Sequence, residues 1–119
     1  MTSVDEASFP FYEVRLTEPA EIEVDAAVLH LARFSPESAT RWHEGLVVAL
    51  QSLSQIPRRC PLAPENALLN NEIRQLIYKN GKSVHRILFT IFEREEDEPA
   101  FVRIARVLHG ARQQLGEGE

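Results

Sequence analysis

Apolar residues change their spacing along this chain in a way that marks out its elements. From Phe9 to Leu16 the spacing is that of a strand: Tyr12, Val14 and Leu16 alternate with Phe11, Glu13 and Arg15. At Thr17-Glu18-Pro19 the chain presents a hydroxyl cap, an acid for the positive helix end and a proline for the first turn. The helix that follows runs to about Phe34, with Ile22, Ala26 and Leu29 on one stripe and Val24, Val28 and Leu31 on its neighbour. Ser35-Pro36-Glu37 repeats the start signal. A second helix then carries Ala39, Trp42, Leu46, Ala49, Leu50, Leu53 and Ile56 on one apolar face. Pro57 is expected to end it, because a residue before proline is pushed out of helical geometry. The short link between the helices predicts an antiparallel hairpin.

Residues 57–70, PRRCPLAPENALLN, form a connection punctuated by three prolines. Strand patterning returns in Ile73–Tyr78, Val84–Phe92 and Phe101–His109. Asn80-Gly81 predicts a tight hairpin turn between the first two of these runs, since both residues accept positive φ. In Val84–Phe92, His85, Ile87, Phe89 and Ile91 share one face; Val84, Arg86, Leu88 and Thr90 share the other. In the last run, Val102, Ile104, Arg106 and Leu108 alternate with Phe101, Arg103, Ala105, Val107 and His109. Apolar residues on both sides place that strand inside the sheet. The predicted order is β-α-α-β-β-β, an α+β fold: an N-terminal strand and a helical hairpin packed on one face of a mainly antiparallel sheet. The opposite face is expected to be partly open.

At 119 residues the chain has room for one domain and one core, with 1–8 and 113–119 expected to be flexible. The acidic start MTSVDEASFPFYEV lacks a basic-then-apolar leader, no run is long enough to span a membrane, and Cys60 is the only cysteine. A cytoplasmic location is the expectation. Cys60, beside Arg59, is read as a packed, inert thiol.

Charge changes the picture. The net charge is −5, yet its two signs are segregated. Up to Pro57 three arginines stand against nine acids; from Arg58 to Arg112 ten basic residues stand against seven acids, five of them between Glu93 and Glu98. With those five assigned to a solvated loop, the sheet reads as basic, which suits a polyanion or an acidic partner segment. Edge-guarding arginines are the plain alternative.

Candidate chemistry is narrow. No paired His or Cys spacing suggests a metal, and no phosphate loop or nucleophile elbow is present, so no cofactor is expected. Metal-free cleavage of RNA by its own 2′-hydroxyl needs a base, an acid and charge stabilisation at the phosphate. His109 has the chemistry for the first two, and Arg86 and Arg112 for the third. The alternative for His109 is a strand-end histidine bonded to backbone. Arg86 has an alternative as the partner of a carboxylate, and Arg74 as a tie to Glu72 or the proline loop. His85, with Ile87 and Phe89, is read as a core or edge histidine, and Trp42 as core.

The element order, with FYEVRLTEPAEIEV, SPESATRWHEGLVVALQSLSQIP, IRQL, VHRILF and RVLHGAR, resembles the RelE/ParE superfamily of bacterial type II toxins. These are often grouped as plasmid stabilisation proteins. The resemblance runs from about Phe11 to Leu115. It implies a growth-arresting toxin held inactive by a cognate antitoxin that wraps around it. It also implies one of two targets: DNA gyrase, as for ParE-type members, or mRNA on the ribosome, as for RelE-type endoribonucleases. Arg86 in VHRILF matches the third-strand arginine that such nucleases place on phosphate. Arg74 and Gln75 in IRQL fall where they carry lysines. His109 and Arg112 in RVLHGAR fall at the end of the last strand, where relatives put His, Arg or Lys. Arg74, Gln75, Lys79, Lys82 and Arg106 are the positions expected to bind a partner. Beyond the last strand the tail is QQLGEGE, without the aromatic that RelE-type nucleases commonly carry there, and this favours the gyrase arm. No membrane partner is expected.

Overall fold

The structure, a computed structural model, describes residues 11–68 and 72–110. The elements follow the expected order: β1 (Glu13–Leu16), α1 (Glu18–Ala32), α2 (Pro36–Gln51), a run of 3-10 turns, β2 (Arg74–Asn80), β3 (Ser83–Phe92) and β4 (Phe101–His109). The four strands form one sheet in the order β1-β4-β3-β2. β2, β3 and β4 are antiparallel neighbours, while β1 lies parallel to β4, pairing Glu13 with Phe101 and Leu16 with Ile104. β4 is therefore interior. The first strand is shorter than its pattern suggested: Phe11 makes only an isolated bridge with Gln55.

Both helices begin as their caps dictate. The Thr17 hydroxyl accepts from the Ala20 N–H at 3.2 Å and donates to the Ala105 carbonyl at 2.9 Å, so one side chain starts α1 and ties it to β4. The Ser35 hydroxyl accepts from the Ser38 N–H at 3.1 Å. On α1 only one of the two predicted stripes is inward. Val24 is buried and Val28 and Leu31 pack on the core, whereas Ile22 and Leu29 are exposed. On α2, Ala39, Trp42, Leu46 and Leu50 are buried, and Leu53 continues the face from a 3-10 turn. Each buried Leu contributes about 1.5–3 kcal/mol by leaving water.

The α-helix ends at Gln51 rather than at Pro57. Ile56, expected on the apolar face, is exposed and left-handed at φ 48°, outside the right-handed helical region that Pro57 disfavours for its predecessor. The hairpin turn is also displaced by one residue. Asn80 pairs with Ser83, leaving Gly81-Lys82 as the turn, and only Gly81 has positive φ (62°). That is the position where a two-residue hairpin of the II′ kind takes glycine.

Two features of the sheet correct the sequence reading. In β4 the register with β3 shifts from Phe89↔Ile104 to Leu88↔Arg106, so Ala105 is an extra residue. Such a bulge swaps the faces beyond it. Val102 and Ile104 face the helices before it; Val107 does so after it, as does His109, which packs on His85. The simple alternation expected for Phe101–His109 thus breaks at Ala105. Secondly, the face away from the helices is not left open around Arg86. The segment Pro57–Asn66 folds over it, and Ala63, Ile73, Leu88 and Leu108 make a second, smaller core there. No helix among the described residues is long and apolar enough to cross a membrane.

Candidate functional site

On the helix side of the sheet, the bulge opens a cleft of about 520 Å³ between α1 and the end of β4. β1 pairs with β4 only as far as Ile104, so the next backbone groups of that edge need other partners. Glu23 of α1 supplies one. Its Oε1 accepts from the Val107 N–H at 2.7 Å, and its Oε2 accepts from Arg106 Nε at 2.7 Å. A carboxylate here satisfies a strand edge and an arginine together.

His85 and His109 face each other across the antiparallel pair with ring centroids 4.9 Å apart, and His85 in turn lies 4.9 Å from Trp42. His85 is buried and its Nδ1 has no partner among the described residues. Burial, with His109 alongside, lowers its pKa from 6.5 to about 4. It is a neutral imidazole at pH 7, in keeping with a core histidine. His109 is exposed at the cleft mouth, with His30 across from it.

Arg86 lies on the other side of the sheet. Its guanidinium meets Glu65 at 2.9 and 2.7 Å and donates to Gln75 Oε1 through Nε (3.0 Å) and Nη2 (2.8 Å). Both charged side chains are almost wholly buried. The structure brings Arg86 together with Gln75 and separates it from His109 by the thickness of the sheet. Arg112 lies outside the described residues. The three side chains expected for phosphate chemistry are thus not seen to converge, and Arg86 takes up its alternative as a carboxylate's partner.

Arg74 does what its structural alternative describes. It donates to the Cys60 carbonyl at 2.6 Å and to Glu72 at 3.4 Å, fastening β2 to the proline segment. Cys60 is buried beneath, and burial raises its thiol pKa. Lys79 and Lys82 are exposed at the β2–β3 hairpin and neither lines the cleft, although Ser83, next to Lys82, does.

Charge pairing overturns the picture of a basic sheet. Arg15 pairs with Glu13 and Glu98, Arg58 with Glu93, Arg74 with Glu72, Arg86 with Glu65 and Arg106 with Glu23. The acidic run 93–98 therefore supplies partners instead of standing apart: Glu93 also accepts from the Tyr12 hydroxyl. Sequence reasoning missed Glu23 and Glu65. Each sits far from its arginine in the chain, on an element with no charge pattern pointing to it.

The sequence matches the family model described as ParE toxin of type II toxin-antitoxin system, parDE, over residues 14–114. No curated protein matches the chain. The matched span takes in every strand and both helices, from Val14 in β1 to the end of β4, and the element order around the cleft is the one that this resemblance predicted. The chain belongs to the ParE toxin family of type II toxin–antitoxin systems.

Proposed function

We propose that this toxin arrests growth by binding DNA gyrase, and that it does so through protein–protein contact instead of cutting RNA. One observation carries the choice: Arg86, the described arginine expected to hold phosphate, is engaged by the protein's own side chains, since Glu65 and Gln75 enclose it. An RNA-cleaving site needs cations presented to a phosphodiester, and an arginine sealed under a folded segment presents none. A net charge of −5 further opposes approach to a nucleic acid backbone.

The second reading, a ribosome-dependent, metal-free endoribonuclease, is favoured by exposed His109 beside Arg106 at the mouth of the cleft. Imidazole at that place has the right chemistry for proton transfer. In either case a cognate antitoxin is the neutralising partner.

Induction in bacteria without antitoxin separates the two. Intact mRNA with altered plasmid supercoiling and a DNA-damage response is the expected result. Rapid mRNA loss with normal supercoiling, abolished by His109→Ala, would replace gyrase with mRNA as the target.

A further inference from the structure

One sheet arginine stands apart from the pairing just described. Arg103 is exposed, and among the arginines of the four described strands it alone has no carboxylate partner. It is nevertheless held in place. Its guanidinium lies over the Phe92 ring at 4.7 Å from the centroid; Phe92 stacks on Phe101 at 4.7 Å and 15°; Arg15 lies over Phe101 at 4.0 Å. The result is a four-layer ladder, Arg15–Phe101–Phe92–Arg103, on the face of the sheet turned away from the helices. Its two end cations differ. Arg15 is bound by Glu13 and Glu98.

We propose that Arg103 is the docking point for one carboxylate of the antitoxin, seated on the ladder beside Thr90 and Phe92. This rests on the toxin reading above. Three physical points select a carboxylate as the group that docks there. A guanidinium held over an aromatic ring by cation–π attraction keeps its N–H donors available, and less side-chain entropy is left to lose on pairing. Stacking of a nucleobase is disfavoured, because Phe92 and Phe101 already stack on each other and each ring also carries a guanidinium. A polyanion is disfavoured electrostatically, because Glu13 and Glu98 flank the Arg15 end of the ladder and would repel a row of phosphates. A single carboxylate next to apolar side chains meets Arg103 without meeting those acids. It would also complete the pairing that the other four sheet arginines already have.

The test measures binding of the purified toxin to its cognate antitoxin, with growth arrest on toxin induction read for the same variants. R103E is expected to lower antitoxin affinity by about 30-fold or more while still arresting growth. R103K, which keeps the charge and loses the planar fork, should fall between. An Asp→Arg or Glu→Arg change at a single position of the antitoxin should restore binding to R103E. Unchanged affinity of folded R103E would overturn the proposal. Lost growth arrest with unchanged antitoxin affinity would also overturn it, by assigning Arg103 to the cellular target. A wild-type chain that neither arrests growth nor binds antitoxin would remove the toxin reading itself, and this proposal with it; the wild-type control distinguishes that failure.

Discussion

Glu65 and Arg86, 21 residues apart in the chain, meet in a two-pronged ion pair at 2.9 and 2.7 Å with both side chains sealed from solvent. The pair pins the irregular segment Pro57–Asn66 across the sheet. Through it, a segment built of short 3-10 turns gains a fixed place.

Removing one member leaves the other charge buried and unpaired. Glu65→Ala and Arg86→Ala should each cost about 3–5 kcal/mol in chemical denaturation. The double change Glu65→Leu with Arg86→Met should recover most of that loss. If Arg86→Ala retains wild-type stability, the pair is not what fastens the segment. Lost toxicity in Arg86→Ala would therefore report on folding before it reported on a target.

Gly45 lies against the Tyr78 hydroxyl, which donates to the Trp42 carbonyl at 2.7 Å. A Cβ at position 45 would stand 2.3 Å from that oxygen. Gly45→Ala should therefore destabilise by about 1–3 kcal/mol, although alanine is the better helix former by about 1 kcal/mol. With Tyr78→Phe in place the clashing oxygen is gone, and the same Gly45→Ala change should lose most of its cost. Equal penalties in both backgrounds, read from thermal unfolding, would show that the contact is not the cause.

His85 makes stability depend on pH in a defined window. Its pKa is lowered from 6.5 to about 4 in the folded protein, first by burial and then by His109. Below pH 6.5 the unfolded chain takes up a proton that the folded one refuses. The contribution is thus complete above pH 6.5 and is lost as pH falls towards 4. Over that window it amounts to about 3 kcal/mol. His85→Leu should flatten the stability curve between those limits; an unchanged slope would place the dependence on other groups.

Glu23 closes the open edge of β4, accepting from the Val107 N–H at 2.7 Å. Glu23→Ala should speed exchange of the Val107 amide by about 10- to 100-fold, the scale of one hydrogen bond to a charged group. Glu23→Gln, which keeps an acceptor and loses the charge that faces Arg106, should have the smaller effect. Protection at Val107 that survives both changes would mean that another group satisfies this edge.

Much of the architecture was legible locally. Thr17-Glu18-Pro19 and Ser35-Pro36-Glu37 carry their helix starts in three residues each, and both helices begin there. Alternation in Phe9–Leu16 and Val84–Phe92 marks strands, found at Glu13–Leu16 and Ser83–Phe92, whose apolar side chains enter the core. Trp42, Leu46 and Leu53 recur at helical spacing and are buried. These signals work because caps and periodicity act between residues a few positions apart.

What the tertiary structure decided is which arginines have partners. Arg86 finds Glu65 across a proline-rich segment, and Arg106 finds Glu23 over 83 residues of chain. The bulge at Ala105 turns His109 towards the helices, and nothing in RVLHGAR announces it, because a bulge is a mismatch between two strands and belongs to neither alone. Local patterns fix elements. Long-range pairing fixes which charges are left for a partner, since an ion pair depends on distances in space that chain position does not encode.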